Sequence, residues 1–535
     1  MKYWLLGLAS VLVCASSLSA ATARLTIELI DPLSKERVPG WFRVLDHEEK
    51  PIVFDDLYSR GEGLWANHPA RTWYAIQEKV PVVVPKGEVY VEAFSGINSE
   101  RVRRKLDLRF FDRLSVTLPV SILTPLKSSG WYEGNTHLHL KGLNREDADR
   151  YLRRVSLSDR LDLVFVSHLE RARDDASYIT NQYLRSDLHE LGKGEVLFEK
   201  GEEHRHNFGA WDEGFGHVMF LKIPKLVQPV SVGKGISGAG YDFPPLRDGI
   251  KQARAMGATI IWCHNRYGLE DVPNWLAGRV DAQNTFDGGS HGDYSETFYR
   301  YLNVGLSVPF STGTDWFISD FSRVFVDVEG GLTSGSWLEG LKEGRSFISN
   351  GPLLEFHVDK VGLGGRMNLK NARMVSVVAK AVGRSDFGGL EFVANGEIRK
   401  QVVAVKKGNR FEAAMIFDHH IAEPTWMAIR SSGGGLDTEG NLIVPSSSPI
   451  RGTGKQVNEM GEALFAHTSP IYVDFNGERR FDSETAEELI AEMEMALVKI
   501  LEKGSFGSNE QRIQIEELYG TAILDLRSRI PSSTN

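Results

Sequence analysis

The chain is poor in cysteine: its 535 residues contain only Cys14 and Cys263. Cys14 lies in an N-terminal segment that we expect to be removed, which leaves Cys263 alone and excludes an intrachain disulfide in the mature protein. A chain of this length can rely on its hydrophobic core instead of disulfides, even in an oxidising compartment.

Basic residues are also fewer than acidic residues. Lys and Arg number 62 against 71 Asp and Glu, which gives a formal net charge of −9. Binding to nucleic acid depends on Lys and Arg that displace counterions from the phosphate backbone. The charge balance therefore argues against a nucleic-acid partner.

The apolar run at the N-terminus is short. Lys2 precedes apolar residues 3–13, and Ala21-Thr22-Ala23 supplies the small residues of a cleavage site. This pattern predicts a signal peptide over residues 1–23 and a secreted or periplasmic mature chain that begins near Arg24. The run is shorter than the roughly 20 residues of a membrane span. We therefore expect no stable membrane insertion after cleavage, and an uncleaved anchor is the alternative.

The pattern of apolar residues divides the mature chain into four parts. Residues 24–124 alternate with period two between Pro and Gly turns, which predicts an antiparallel β-sandwich. Over residues 125–352, apolar strands alternate with helical stretches, as in a βα architecture with a largely parallel sheet. Residues 353–478 predict a second β-sandwich, and residues 479–535 predict C-terminal helices and a tail.

Two smaller features lie in the flanking parts. Trp41, Trp65 and Trp73 could form a ligand platform, but packing in the core is the preferred interpretation. Near the C-terminus, seven apolar residues fall on one helical face that would pack on the sandwich or on a partner subunit: Ala486, Leu489, Ile490, Met493, Leu497, Ile500 and Leu501. Gly504 is the expected end of that helix.

Histidine is concentrated in the middle of the chain. Nine of the 15 histidines lie between residues 131 and 320: His137, His139, His168, His189, His204, His206, His217, His264 and His291. His137 and His139 are two apart on an expected strand, so both side chains would share one face. His168 and His264 end apolar strands, where the open end of a barrel gathers functional residues.

Six short motifs resemble those of the PHP (polymerase and histidinol phosphatase) superfamily, and within it the group named after carbaryl hydrolase, the CehA/McbA-like metallohydrolases. They are Thr136-His-Leu-His139, Val166-Ser-His168, Gly201-Glu-Glu203, Gly216-His-Val218, Cys263-His-Asn265 and Gly313-Thr-Asp315. The stretch from Gly344 to Pro352 resembles the segment that closes the barrel domain in that group.

The resemblance implies a distorted (β/α)7 barrel of PHP type, flanked here by the two β-sandwich domains, with one to three divalent ions at its open end. Matched motif by motif, seven residues would be metal ligands: His137, His139, His168, Glu203, His217, His264 and Asp315. Two positions depart from the family pattern, because Asn135 stands where relatives have Asp and Phe317 where they have His. We therefore expect one or two ions rather than three.

The ligand types define the expected chemistry. Imidazole and carboxylate suit Zn, Mn or Fe(II). We expect a metal-dependent hydrolase that uses a metal-activated water on a small-molecule ester, carbamate or phosphoester, with a slight preference for a carbonyl substrate. Asp315 would accept or orient the proton of the water. His264 is expected to be a second catalytic residue.

Arginines close to the expected ligands are candidates to stabilise charge in the transition state, namely Arg205, Arg266 and Arg171. His204 and His206 would extend the metal site, hydrogen-bond the substrate, or hydrogen-bond the metal ligands. Cys263 should point away from the site on its strand and serve packing.

A different class of function stays open. The barrel would then be catalytically reduced, and the β-sandwiches would recognise a carbohydrate or a cell-surface ligand. A third alternative takes the terminal helix and the sandwiches as assembly surfaces of a homo-oligomer.

Overall fold

The computed structural model describes residues 21–171, 178–209, 212–237, 240–264, 268–287, 294–432 and 456–531. Most of the expected signal peptide, residues 1–20, and the predicted catalytic Arg266 lie outside these residues. The first strand begins at Thr22, so the expected mature N-terminus at Arg24 lies within a strand. No helix in the described part of the chain has both the length and the hydropathy of a membrane-spanning segment.

The N-terminal part consists of two small sheets. Its strands are β1 (Thr22–Ile30), β2 (Gly40–Leu45), β3 (Tyr74–Ile76), β4 (Val80–Pro85), β5 (Glu88–Phe94), β6 (Val102–Asp107) and β7 (Arg113–Pro119). One sheet has the order β4-β1-β7 and the other β3-β2-β5-β6. Alternate residues of β1 are buried, and Leu25, Val44 and Val91 belong to one core cluster that both sheets share.

The central part alternates strands with helices. The strands are β8 (Trp131–His139), β9 (Leu163–Leu169), β10 (Leu197–Gly209), β11 (Asp212–Leu221), β12 (Thr259–Trp262), β13 (Ala282–Asn284), β14 (Phe310–Ser311), β15 (Asp315–Trp316), β16 (Arg323–Asp327) and β17 (Ser346–Ser349). The helices are α1 (Arg145–Ser158), α2 (Arg185–Leu191), α3 (Lys234–Ser237), α4 (Leu246–Ala255), α5 (Asp271–Leu276), α6 (Arg300–Asn303) and α7 (Ser334–Lys342).

These strands belong to one large curled sheet. Strands β8, β9 and β10 are parallel, β11 runs antiparallel to both of its neighbours, and β12, β13 and β14 are parallel again. The short strand β15 returns to the start, where Asp315 pairs with Leu138 of β8 in parallel register. The sheet therefore curls so that β15, near the end of the central part, lies beside β8 at its start.

The C-terminal part continues the same sheet. Its elements are β18 (Leu353–Val358), β19 (Arg366–Leu369), β20 (Arg373–Gly383), β21 (Gly389–Ala394), β22 (Glu397–Val403), β23 (Val405–Lys407), β24 (Arg410–Ile421), β25 (Thr425–Ser431), β26 (Ala466–Thr468), β27 (Ile471–Phe475), α8 (Ser483–Lys503) and α9 (Asn509–Arg529). Phe347 of β17 pairs with Thr468 of β26, so the large sheet runs past residue 352. A separate sheet has the order β18-β20-β24-β23.

The predicted α/β class is confirmed at this level: the chain is a mixed α/β protein with one large curled sheet and several smaller ones. The apolar face predicted near the C-terminus lies on α8, where Ala486, Leu489 and Met493 are buried. Asp482 caps the start of α8 by accepting from the Thr485 amide at 2.9 Å. Gly504 stands at its end, as the sequence predicts.

A buried carboxylate joins the N-terminal sheets to the large sheet. Asp159, which follows α1, accepts from the indole of Trp41 at 2.6 Å and forms ion pairs with Arg60 at 2.8 Å and Arg323 at 3.3 Å. All four side chains are buried. Breaking such a pair by removing one partner is strongly destabilising, because the other charge stays in a site of low polarity.

Arg60 has a second set of partners close to β15. It donates to the backbone oxygens of Ser319 at 3.1 Å and Asp320 at 2.7 Å. This segment directly follows β15. Arg60 therefore anchors the residues after Asp315 to the N-terminal part of the protein.

Candidate metal centre

Four ionisable side chains meet where the sheet curls back on itself. They are His137 and His139 of β8, Glu203 of β10 and Asp315 of β15, and their nearest ligand atoms all lie within 4.8 Å of one another. Glu203 Oε2 is 3.0 Å from His139 Nε2 and 3.4 Å from His137 Nε2. Asp315 Oδ1 is 3.4 Å from His137 Nε2. This arrangement has the dimensions of a first metal-binding group.

A second group shares Glu203 with the first. Glu203 Oε1 lies 3.2 Å from Nδ1 of His217 and 3.7 Å from Nε2 of His264. These three residues also bring their ligand atoms within 4.8 Å of one another. The two carboxylate oxygens of Glu203 therefore face different groups of imidazoles, as a carboxylate that bridges two ions would.

Hydrogen bonds on the side away from the cluster fix the ring orientations of His137 and His139. His137 Nδ1 lies 2.7 Å from Asp287 Oδ2, and His139 Nδ1 lies 3.1 Å from the backbone oxygen of Ser167. An ionised carboxylate and a carbonyl can only accept, so each Nδ1 carries a proton and each Nε2 faces the cluster. This is the tautomer of a histidine that binds a metal through Nε2.

Asp287 was not among the predicted site residues. It follows β13, is fully buried, and accepts from Asn284 Nδ2 at 2.8 Å as well as from His137. Burial raises the pKa of Asp287, but the charge of His137 and the hydrogen bonds lower it further, so the pKa lies below the usual range. Asp287 Oδ1 has no hydrogen-bond donor among the described residues. The one feature of the sequence that could have pointed to Asp287 is its position just after β13.

The local sequence around β8 explains how its two histidines converge. The pairing of β8 with β9 has a bulge between Asn135 and Leu138. Asn135 Oδ1 accepts from the His137 amide at 3.1 Å, and its Nδ2 donates to Thr314 Oγ1 at 2.7 Å. A Cβ on Gly313 would come within 2.6 Å of the His137 Cβ, so only glycine allows this close approach. Asn135 thus holds the two ligand segments together.

Two of the predicted ligands have a left-handed backbone. The φ angle is +54° at His264 and +53° at Asp315. This conformation costs about 1–3 kcal/mol in a residue with a side chain, and such residues cluster at functional sites. Phe317, two residues after Asp315, has a φ of +57° and is buried against Tyr151. Phe317 therefore packs in the core.

Arg205 supplies the positive charge beside Glu203. Its NH1 lies 3.6 Å from Glu203 Oε1, and its NH2 lies 3.0 Å from Nε2 of His217. Burial raises the pKa of Glu203, but Arg205 and the neighbouring imidazoles lower it well below the usual range. Burial and Arg205 also lower the pKa of His217 to about 3, so this imidazole is neutral. Both side chains are thus in the ionisation state that metal ligands require.

The pKa of His137 is shifted in the opposite direction to that of His217, because carboxylates surround His137. Burial lowers the pKa of His137, but Asp287, Asp315 and Glu203 raise it more, to well above the usual value. The same balance raises the pKa of His264. A cluster that raises the pKa of a deeply buried imidazole attracts positive charge, whether that charge is a proton or a metal ion.

Not every predicted ligand joins the cluster. His168 Nε2 lies 3.4 Å from Glu170 Oε1, and His168 belongs to neither group of ligand atoms. Burial and Lys200 lower its pKa. His204 donates to the backbone oxygen of Val230 at 2.6 Å. His168 and His204 therefore have local partners outside the cluster.

Two further predictions have clear outcomes. His206 does not extend the site, because its Nε2 bonds Asp242 Oδ1 at 2.9 Å. The expectation that Cys263 points away from the site is wrong, since its sulfur lies within 4.8 Å of ligand atoms of both His137 and His264. Burial, followed by the carboxylates of the cluster, raises the pKa of the Cys263 thiol well above its usual value.

Comparisons of the chain with models of protein families, with curated proteins and with solved structures gave no match. The site is therefore defined by its own side chains: two buried groups of imidazole and carboxylate that share Glu203 and could hold a metal ion. The donor atoms are nitrogen and oxygen, which suits Zn, Mn or Fe(II).

Proposed function

We propose that this chain is a metal-dependent hydrolase of the PHP type, similar to the CehA/McbA-like group. The observation that carries the proposal is the contact between His137 Nε2 and His139 Nε2, which are 2.9 Å apart. The raised pKa of His137 places a proton between these two nitrogens when no ion is bound, and two carboxylates surround the contact. A divalent ion coordinated by all four residues would replace that proton.

The proposal includes a specific fold for the central part of the chain, a distorted (β/α)7 barrel. Two observations support it: strands β8 to β14 are paired in chain order, and β15, which directly follows β14, returns to β8. The proposed ligands lie near the carboxyl ends of β8 and β12 and on β10, β11 and β15, in agreement with the position of active sites in such barrels.

The residues of the two groups would hold one or two ions. His137, His139, Glu203 and Asp315 would bind the first, and Glu203, His217 and His264 the second. When bound, a divalent ion supplies hydroxide near neutral pH by lowering the pKa of a water molecule to about 7.

Asp315 is the ligand that would handle the proton of the attacking water. Its side chain is 11% exposed, whereas those of His137, His139 and Glu203 are at most 2% exposed. Asp315 therefore faces the side from which water and substrate arrive, and its carboxylate can accept a proton there. Arg205 would stabilise negative charge that develops on the substrate oxygen.

A small-molecule ester or carbamate is the proposed substrate, with a phosphoester as the alternative. A phosphoryl group requires several cations around it, and Arg205 contacts the centre through Glu203 and His217. A carbonyl substrate requires only hydroxide and one electrophile. We also propose that the mature chain is exported, because residues 1–23 have the pattern of a signal peptide.

The proposal is tested by metal content and hydrolysis together. The full-length mature protein, loaded with Zn or Mn and desalted, should retain at least one equivalent of metal and hydrolyse a member of an ester, carbamate and phosphoester panel. The double variant His137→Ala/His139→Ala should lose both properties. His420→Ala, at an exposed histidine of β24, is the control and should keep both. Less than one equivalent of metal together with no hydrolysis would overturn the proposal.

A further inference from the structure

A pocket of about 550 Å³ opens beside Asp315, within the range of about 300–1,000 Å³ that is usual for ligand sites. Thr314 and Trp316, the two neighbours of Asp315, both line it. The Trp316 ring lies 5.6 Å from the ring of His139. The pocket therefore begins one side chain away from the proposed metal ligands.

Four distant parts of the chain build the wall. Trp65 and His68 come from the segment between β2 and β3, and Lys141 from the segment after β8. Trp316 and Asp320 come from β15 and the segment after it, and Glu462 from the segment before β26. The pocket therefore exists only where the N-terminal part and the end of the large sheet meet the candidate centre.

Trp65 is the exposed member of this wall. Its side chain is 65% exposed, while Trp41 and Trp73 are fully buried. The backbone around Trp65 is nevertheless held in place, because its carbonyl accepts from Arg71 Nε at 3.1 Å and from the His68 amide at 3.0 Å. The His68 ring meets the indole at a right angle, with 4.6 Å between ring centres. A large apolar ring is thus presented to solvent on a well-anchored turn.

The second indole is held from several sides. Lys141 Nζ lies 4.5 Å from the centre of the Trp316 ring, and the Tyr178 ring lies 5.2 Å away. A cation above an indole is attracted by the negative face of the ring. Lys141 also lines the pocket, so a hydrogen-bond donor stands directly beside the aromatic surface.

The rest of the lining is mixed. Leu64 and Phe317 add apolar surface to the two indoles, and hydrogen-bonding groups are carried by Thr314, Ser319, Asp320, Glu462, Lys141 and His68. A flat hydrocarbon ring would cover these polar groups without offering them hydrogen bonds. A ligand with one apolar face and a polar edge fits this lining.

A pyranose ring has this combination. Its axial C–H bonds form a weakly positive apolar face that packs on the negative face of an indole. Its hydroxyls at the edge need both donors and acceptors when they leave water, and the amine, carboxylates and hydroxyls of the wall offer both.

We infer that the pocket beside Asp315 binds a pyranose ring of a carbohydrate. Resting on the proposed hydrolase function, the substrate is then a sugar esterified with a small acyl group. In its hydrolysis the oxygen of water bonds to the acyl carbon, and the bond from that carbon to the sugar oxygen breaks. The sugar oxygen takes up a proton from the water, and the acyl group leaves as a carboxylic acid.

Binding is measured first, without reference to turnover. Isothermal titration calorimetry of the metal-loaded full-length protein uses three neutral probes: cellohexaose, xylohexaose and chitohexaose. At least one should bind, and Trp65→Ala should weaken its Kd about tenfold, equal to about 1.4 kcal/mol. Phe110→Ala removes an aromatic ring that is 86% exposed and outside the pocket, and should bind as the unchanged protein does. Thermal denaturation establishes that both variants are folded.

Two results would overturn the inference. One is the absence of binding for all three saccharides. The other is equal binding by Trp65→Ala and Phe110→Ala, which would place the saccharide elsewhere.

Activity then separates this inference from the proposed function. Acetylated xylohexaose and 4-nitrophenyl acetate are compared as substrates, and Trp65→Ala should lower kcat/KM for the sugar ester about tenfold relative to the aryl ester. If saccharide binds through Trp65 and neither ester is hydrolysed, the pocket stands and the hydrolase proposal falls. If 4-nitrophenyl acetate is hydrolysed and no saccharide binds, the hydrolase proposal stands and the pocket inference falls.

Discussion

His137 Nε2 and His139 Nε2 lie 2.9 Å apart while each ring donates its Nδ1 proton to an oxygen behind it. A proton on His137 Nε2 makes this contact a hydrogen bond, and the buried carboxylates of Glu203 and Asp315 lie within 3.7 Å of it. A metal ion between these groups would take the place of that proton. Metal binding and folding would then be interdependent.

Metal removal should lower the stability of the folded protein. A ligand that binds only the native state stabilises it by about 2.7 kcal/mol at a free concentration of 100 times its Kd. Thermal denaturation of the protein with added Zn should show a higher Tm than denaturation after chelation. The double variant His137→Ala/His139→Ala should show a much smaller difference. An unchanged Tm for the unsubstituted protein with and without Zn would argue against binding at this centre.

Asp287→Asn should weaken metal binding without unfolding the protein. The amide removes the negative charge behind His137 and permits the other ring tautomer, in which Nε2 carries the proton. Loss of such a supporting carboxylate usually lowers metal affinity about 10- to 100-fold. Competition with a chromogenic chelator measures the affinity. Asp525→Asn, on the exposed face of α9, is the control, and equal affinities of the two variants would contradict a positioning role for Asp287.

Arg60→Met should destabilise the protein and loosen the segment after β15. The substitution leaves Asp159 with Arg323 as its remaining buried cation and removes the bonds to Ser319 and Asp320. Removal of one partner of a buried pair costs about 3–5 kcal/mol, which urea denaturation can measure. Arg109→Met breaks an exposed pair with Asp107 instead and should change stability little. A similar small effect of Arg60→Met would show that the buried pair contributes nothing net.

The stability of the protein should fall in acid because of His467. This residue lies in β26, bonds Tyr299 OH at 2.7 Å and is fully buried. Burial and Arg430 lower its pKa to about 3, below the unfolded value of about 6.5. The neutral form is thus favoured by folding, so the stabilisation is present above about pH 6.5 and is lost as the pH falls towards 3.

The slope from this one group is at most about 1.4 kcal/mol per pH unit. Urea denaturation between pH 7 and pH 4 measures it, and His467→Gln should flatten the dependence. His420→Gln, at an exposed site, should leave the slope as it was. Equal slopes in all three proteins would exclude His467 as the source.

The positions of ionisable residues at strand ends, together with the family resemblance of their motifs, predicted much of the candidate site. His137, His139, Glu203, His217, His264 and Asp315 converge because each lies on or next to a strand of one curled sheet. Apolar runs with a polar residue at the end are visible in a sequence. Buried parallel strands end at the same edge of a sheet, which explains why His139 of β8 and His264 after β12 meet. Glu203 and His217 lie within β10 and the antiparallel β11, and the pairing of these two strands brings them to the site.

The sequence could not predict which neighbours of the strands would enter the site. His168 ends a strand as His264 does, yet its nearest carboxylate is Glu170. Asp287 follows a strand of only three residues, too short for a periodic signal. Trp41, Trp65 and Trp73 have similar surroundings in the sequence, and only the tertiary fold leaves Trp65 exposed.

The pairing of Phe347 with Thr468 affects the order in which the protein can be built. A chain emerges from the ribosome N-terminus first, so all the proposed ligands are synthesised more than a hundred residues before β26 exists. Strand β17 must wait for this partner, and until then it presents an open sheet edge. A chain cut short after residue 352 would therefore keep every proposed ligand but leave β17 without its partner β26.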